Sequence, residues 1–164
     1  MNGTVFIDRD GVVNRRLMDD YIKSWDEFEL LPGVREALLS LKAAGWRSIL
    51  ITNQRGISRG IMSHEELAEI HRRMQELLGE AALDAIYYCP HGREDGCACR
   101  KPRPGMILQA AADFPDIQLD KCCMFGDSDS DGQAAFNAGC PRFFKIVPGY
   151  DLLAAVKDWL AEKN

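Results

Sequence analysis

The chain predicts a doubly wound α/β fold, a parallel sheet with helices on both faces. Three observations point there. Short apolar runs alternate along the chain with segments whose apolar residues recur at helical spacing. The runs themselves are apolar on successive residues, as expected of strands buried on both faces. Polar side chains gather at the ends of these runs, where open α/β sheets place their ligand crevice.

The first strand is read over Thr4 to Ile7, followed by Asp8-Arg9-Asp10-Gly11. Residues 13–31 show no clear periodicity and leave directly from the Asp-x-Asp pair. A long loop in a compact domain tends to be functional, and this one offers Arg15, Arg16 or Tyr21 to a substrate. Tyr21, Trp25 and Phe28 are also expected to pin it to the surface. Pro32-Gly33 opens a helix carrying Val34, Ala37, Leu38 and Leu41, with Gly45 as its stop.

The second strand is expected over Arg47 to Thr52 and runs into Asn53-Gln54. Gly56 and Gly60 flank a turn, and Ser63 with Glu66 reads as a capping box. Leu67, Ile70, Met74, Leu77 and Leu78 form the stripe of the helix that follows, while His64 and His71 read as solvated. The third strand, Ala85 to Tyr88, leads into Cys89-Pro90-His91, then Cys97 and Cys99, then Arg100-Lys101-Pro102-Arg103-Pro104-Gly105. A helix buried through Met106, Ile107, Ala110 and Ala111 comes next. The fourth strand, Lys121 to Phe125, ends in Gly126-Asp127-Ser128-Asp129-Ser130-Asp131, and a helix runs to Ala138 before Gly139. Arg142 to Val147 is the fifth strand and Leu152 to Leu160 the closing helix.

At 164 residues the chain is expected to form a single domain, 1–164, large enough to bury a real core. No apolar run approaches the ~20 residues of a membrane span, and the start lacks a signal-peptide pattern, so a cytoplasmic protein is expected. A net charge of −5 argues against nucleic acid as the main partner. Arg55, Arg59, Arg100, Lys101 and Arg103 still form a local set suited to a small anion. No surplus amphipathic surface is visible, and a monomer is expected.

Four strand ends present polar groups: Asp8 with Asp10, Thr52 with Asn53, the Cys-His loop with Lys101, and Asp127 with Asp131. Two carboxylates as close as Asp8 and Asp10 repel unless they share a cation, and hard oxygen ligands favour Mg²⁺. Alone, the pair also fits a turn with exposed acids. Together, the four ends suit phosphoryl transfer: cations neutralise the phosphoryl oxygens, and hydroxyl and amide donors orient them. An Asp can attack phosphorus, and a second can serve as acid and then base. Cys89, His91, Cys97 and Cys99 offer four ligands of the kind that suit a closed, structural Zn²⁺ site, the alternative being free thiols beside an incidental His. Such an ion would staple the loop that places Arg100 and Lys101. Asp131 is placed to pair with Lys101, or simply to sit as an acid at a helix N-terminus. Asp129 reads as solvated, and Cys122, Cys123 and Cys140 as packing residues.

These motifs resemble the haloacid dehalogenase superfamily. Asp8-Arg9-Asp10-Gly11 matches its first motif, Thr52-Asn53-Gln54 the second, Lys101 to Gly105 the third, and Gly126-Asp127 with Asp131 the fourth. More narrowly the chain resembles the D-glycero-D-manno-heptose 1,7-bisphosphate phosphatase family, through Asp8 to Asn14, Thr52 to Gly60, and Tyr88 to His91 leading into Cys97 to Gly105. The resemblance implies a Rossmann-like fold with no substantial cap and a zinc-stapled loop. It implies Asp8 as nucleophile, Asp10 as acid/base, and Thr52 and Lys101 as stabilisers of the phosphoryl group. Asp8, Asp10 (through its backbone carbonyl) and Asp127 would hold Mg²⁺. Arg100 would recognise the substrate, a small phosphorylated sugar, with Arg9, Tyr21, Asn53, Gln54 and Arg55 as further contacts. One departure stands out: Ser128 follows the motif-four Asp127 where a basic residue is common.

Three other readings remain at this level. Histidinol-phosphate phosphatase shares the first motif and a similar zinc loop. A phospho-receiver domain also combines Asp, Thr and Lys on a parallel sheet, although it places the phosphorylated Asp on a later strand. A zinc-built nucleic-acid module is disfavoured by the acidic charge and the few aromatics in the basic loops.

Overall fold

The computed structural model describes residues 1–164, and its sheet has five strands, all parallel, in the order β3-β2-β1-β4-β5. These are β1 (Gly3–Ile7), β2 (Trp46–Asn53), β3 (Ala85–Cys89), β4 (Cys123–Gly126) and β5 (Arg142–Lys145). Five helices connect or follow them: α1 (Val34–Ala43), α2 (His64–Leu78), α3 (Gly105–Asp113), α4 (Asp129–Ala138) and α5 (Leu152–Glu162).

The continuous apolar runs bury both faces of the sheet, because successive side chains point to opposite sides. Val5, Ile7, Leu50, Phe125 and Phe144 join α1 and α5 through Leu38, Leu41, Val156 and Trp159. Phe6, Ile49, Ile51 and Met124 face the other way, onto Met106, Ile107 and Ala110 of α3 and Ala134 and Ala135 of α4. Trp159 closes the first layer edge-on to Trp46, with ring centroids 5.2 Å apart.

Local signals set the helix ends. Ser63 Oγ accepts from the Glu66 backbone N–H at 3.1 Å while Glu66 reaches back to the Ser63 N–H, so the capping box is formed. The first three strands match expectation to within one residue at each end, and the fourth and fifth differ by two residues at one end. The fourth begins at Cys123, because Leu119–Lys121 winds into a 3₁₀ turn closed by the Cys122 N–H on the Leu119 carbonyl. The fifth ends at Lys145, because Val147 and Tyr150 bond to each other around Pro148-Gly149. The closing helix runs to Glu162, two residues past Leu160.

Adjacent β1 and β4 form the switch point of the sheet, since connections leave β1 toward β2 on one side while β4 lies on the other. Segment 13–31 holds one short 3₁₀ turn, Trp25–Glu27, and is tied down by the expected aromatics: Trp25 stacks on Phe28 at 4.9 Å and both pack against the core. No additional domain covers the strand ends, and no helix is long and apolar enough to cross a membrane.

Candidate active site

A cavity of about 400 Å³ opens at the carboxyl ends of β1, β2 and β4. Its floor is acidic, with Asp8, Asp10, Asp127 and Asp131, and its walls carry Arg16, Arg55, Arg93 and Arg100.

Asp8 continues β1, its backbone N–H donating to the Phe125 carbonyl at 2.9 Å, so its position is set by the sheet itself. Lys101 Nζ donates to Asp8 Oδ1 at 2.7 Å, to Asp131 Oδ1 at 2.5 Å and to the Ile51 carbonyl at 2.9 Å. All three ammonium protons are thereby used. Burial works against the Lys101 charge, but Asp8 and Asp131 outweigh it and hold the ammonium well above its ordinary range. Burial, with the Asp131 charge next, pushes the Asp8 carboxyl up, and Lys101 opposes that. A buried ammonium and a buried carboxyl group are thus held in contact, and a divalent cation at Asp8 would favour the charged form of the latter.

Asp8, Asp127 and Asp131 bring carboxylate oxygens within 4.8 Å of one another. Glycine makes this closeness possible. Gly11 has φ +88°, and a Cβ there would collide with Asp127 Oδ2; a Cβ on Gly126 would collide with Asp131. Both Asp131 oxygens are engaged, Oδ1 by Lys101 and Oδ2 by Ser128, whereas Asp8 keeps its Oδ2 free, so Asp8 and Asp127 are the oxygen donors that fit a hard cation such as Mg²⁺. The Asp10 side chain is turned elsewhere. It accepts from Arg9 Nη2 at 2.9 Å, Asn14 Nδ2 at 3.0 Å and Gln54 Nε2 at 3.0 Å. Burial disfavours its charge, but Arg9 and these hydrogen bonds prevail and hold it below the usual carboxylate range.

Asn53 clamps the Lys101 backbone from both sides: its Oδ1 accepts the Lys101 N–H at 3.0 Å and its Nδ2 donates to the Lys101 carbonyl at 3.3 Å. Thr52 lies beneath the cavity floor, 1 % exposed, where its Oγ1 accepts from Gln54 Nε2 at 2.9 Å. Tyr21, Asn53, Gln54, Arg55 and Arg100 reach the cavity wall.

Two expectations are corrected. Arg9 touches no substrate space: it is fully buried behind Asp10. His71 is not solvated but buried, with Nε2 3.0 Å from Arg9 Nη1. Its place on the stripe of Leu67, Met74 and Leu78 was visible in the spacing, because 67, 71, 74 and 78 share a helix face. Arg93 and Ser130 line the cavity without having been singled out. Arg93 sits within the Cys-His loop, whose own folding brings it to the site. Ser128 caps α4, its hydroxyl 3.1 Å from Asp131 Oδ2.

Cys89, His91, Cys97 and Cys99 converge, with ligand atoms within 4.8 Å of one another. Cys89 Sγ lies 3.0 Å from Cys99 Sγ and 3.6 Å from Cys97 Sγ, too far for any disulfide, whose S–S bond is about 2.05 Å. His91 Nδ1 lies 3.3 Å from Cys99 Sγ. Three soft ligands and an imidazole around one point fit a tetrahedral Zn²⁺ site with no open position. Burial opposes the Cys97 thiolate, but the Arg100 backbone N–H and the neighbouring thiols bring the thiol down to about 6. Cys122, Cys123 and Cys140 are buried as packing residues, and Asp129 is exposed and paired with Lys145.

Residues 3–139 match the model of the haloacid dehalogenase-like hydrolases. The chain belongs to this family. It is 45% identical over 138 residues to the D-glycero-beta-D-manno-heptose-1,7-bisphosphate 7-phosphatase of Bordetella bronchiseptica, covering 83% of this chain and 76% of that one. It is 41% identical over 135 residues to the D-glycero-alpha-D-manno-heptose-1,7-bisphosphate 7-phosphatase of Mycobacterium tuberculosis, covering 81% and 71%. Among solved structures it is similar to the B. bronchiseptica D,D-heptose 1,7-bisphosphate phosphatase complexed with magnesium and phosphate. That match has a TM-score of 0.89 and 37% identity, and covers 98% of this chain and 99% of that one. The chain is therefore a hydrolase of this family, and the receiver and zinc-module readings give way to an enzyme.

Proposed function

We propose that this protein is a Mg²⁺-dependent phosphatase that removes the C7 phosphate of D-glycero-D-manno-heptose 1,7-bisphosphate through an aspartyl-phosphate at Asp8. The observation that carries the reading is the Asp8–Lys101–Asp131 contact on the floor of a cavity walled by arginines. Relatives of 41–45% identity that carry this substrate's name, in both anomeric forms, support the choice of sugar.

An Asp8 carboxylate oxygen attacks phosphorus as the bond to the C7 oxygen breaks, and Asp10, which must first take up a proton against the pull of Arg9, gives that proton to the departing oxygen. Water then attacks the phosphoryl group, its proton passing to Asp10, and Asp8 is freed. Lys101 holds positive charge against the phosphoryl oxygens throughout. Thr52 supports the group from beneath through Gln54. Mg²⁺, held by Asp8, Asp127 and the Asp10 backbone carbonyl, would supply charge neutralisation on the same oxygens. The second phosphate of the substrate would meet the arginine wall, where Arg100 and Arg55 offer planar, bidentate donors. With no cap, specificity falls to segment 13–31 and the Cys-His loop, the latter stapled by Zn²⁺. We further propose that residues 1–164 act as one catalytic domain, monomeric and cytoplasmic.

The test is phosphate release with Mg²⁺ from both heptose bisphosphate anomers and from histidinol phosphate, with Asp8→Asn as control. Preference for a heptose anomer, lost in Asp8→Asn by roughly 10³-fold or more, is the expected result. Preference for histidinol phosphate would keep the chemistry and reassign the substrate.

A further inference from the structure

Behind the cavity floor lies a buried chain of three side chains in which the proposed chemistry uses only the last. His71 on α2 lies 3.0 Å from Arg9 Nη1, and Arg9 Nη2 donates to Asp10 Oδ1 at 2.9 Å. Arg9 is 0 % exposed and His71 6 %. A guanidinium has donors and no acceptor, so His71 Nε2 must be the accepting lone pair and the ring proton sits on Nδ1. Burial, with the Arg9 charge next, pushes His71 down to about 3, which keeps that lone pair free. Leu67, Ile70 and Met74 surround position 71 on the same buried helix face, so an apolar residue would satisfy packing there. It would also leave an enclosed guanidinium N–H without an acceptor, a costly arrangement. Arg9 Nε already has no partner. The guanidinium is therefore anchored at its Nη atoms alone, one on Asp10 and one on His71.

We propose that His71 is a positioning residue for Asp10: by accepting from Arg9 Nη1 it fixes the guanidinium that aims the Asp10 carboxylate. Asn14 and Gln54 also hold that carboxylate, but both come from loops at the strand ends. His71 alone ties it to a helix, 62 residues from Arg9 in sequence. This inference rests on the reading of Asp10 as acid/base. The sensitive step is the second one. There water loses a proton to Asp10 as its oxygen bonds to phosphorus, and the P–O bond to Asp8 breaks to release phosphate and the Asp8 carboxylate.

The experiment compares His71→Gln with His71→Asn, whose folding is checked by thermal melting. Both are polar, but only the Gln amide oxygen extends to where Nε2 lies. Rapid mixing with para-nitrophenyl phosphate and Mg²⁺ separates the steps, because nitrophenolate leaves without needing a proton. His71→Asn is expected to form the phosphoenzyme within about 3-fold of the wild-type rate and then to turn over about 10-fold or more slowly. His71→Gln is expected to restore turnover to within about 3-fold. Arg9→Lys, which keeps the charge but shortens the reach, should reproduce the slow second phase if the Asn variant fails to fold. Wild-type turnover in His71→Asn or Arg9→Lys overturns the proposal, as does equal loss in Gln and Asn. Asp10→Asn run alongside separates the layers: full activity there removes the acid/base reading itself, whereas its inactivity beside an unaffected His71→Asn removes only the inference.

Discussion

Lys101 is the side chain on which the site's electrostatics turn. It is 3 % exposed at its side chain and lies between two carboxylates that would otherwise face each other across a few ångströms. Removing one member of such a buried set leaves charge unpaired, which costs about 3–5 kcal/mol. Lys101→Met is therefore expected to lower the denaturant midpoint by that equivalent as well as to abolish activity. An unchanged midpoint would show that Asp8 and Asp131 are not paired through it. His71 makes a separate prediction about pH. Its ring binds a proton near 6.5 when unfolded but only near 3 when folded. The unfolded chain therefore gains protons first as pH falls, and stability declines between those two values. His71→Gln should remove this part of the acid destabilisation. Identical pH–stability curves for the two proteins would refute the assignment.

At the scale of elements, the Cys-His loop is the part whose folding a bound Zn²⁺ would govern. Its four ligand atoms converge between the end of β3 and Arg100, and the Cys97 Sγ accepts the Arg100 N–H at 3.4 Å. Zn²⁺ removal, or Cys97→Ser, should free Arg100 and Arg93 from the cavity wall and raise KM for the bisphosphate about 10-fold, with a smaller change in kcat. Metal analysis finding no zinc, with unaltered kinetics after chelation, would contradict this. The loop was legible in the sequence because metal-ligating residue types announce themselves by spacing. The strand ends were legible for a related reason: a buried parallel strand is a short apolar run, and whatever polar group follows must sit at the crevice. Boundaries were less so. The fourth and fifth strands were shifted by a 3₁₀ turn at Leu119–Lys121 and by the bonded turn at Val147–Tyr150, and both depend on hydrogen bonds that no periodicity encodes. Arginine is a residue type that favours solvent, whereas the position of Arg9, one residue beyond Asp8, turns it inward against α2. His71 carries the spacing of the buried stripe, although its residue type is only intermediate in its preference for the interior.

At the scale of the whole molecule, the two cores keep stability and chemistry apart. Trp159 is 1 % exposed and packs beneath the sheet with Trp46 and Phe144, and its own helix, α5, contributes no side chain to the cavity. Trp159→Ala is expected to cost about 3–5 kcal/mol in stability while leaving kcat near wild type below the melting transition. A folded variant with sharply reduced kcat would show that the sheet's position, and not only its strand ends, sets the chemistry. The site itself comes from the switch point: β1 leads to Asp8, β4 leads to Asp127, and the first turn of α4 brings Asp131. The central claim is that Asp8, at the end of β1, carries the phosphoryl group. The most direct measurement is a single turnover of the heptose bisphosphate with Mg²⁺, quenched and reduced with borohydride, which converts an aspartyl phosphate to homoserine. Peptide mapping should find homoserine at position 8 and nowhere else, with the sugar retaining its C1 phosphate. Full turnover with no reducible residue, or with homoserine at another aspartate, would contradict the account.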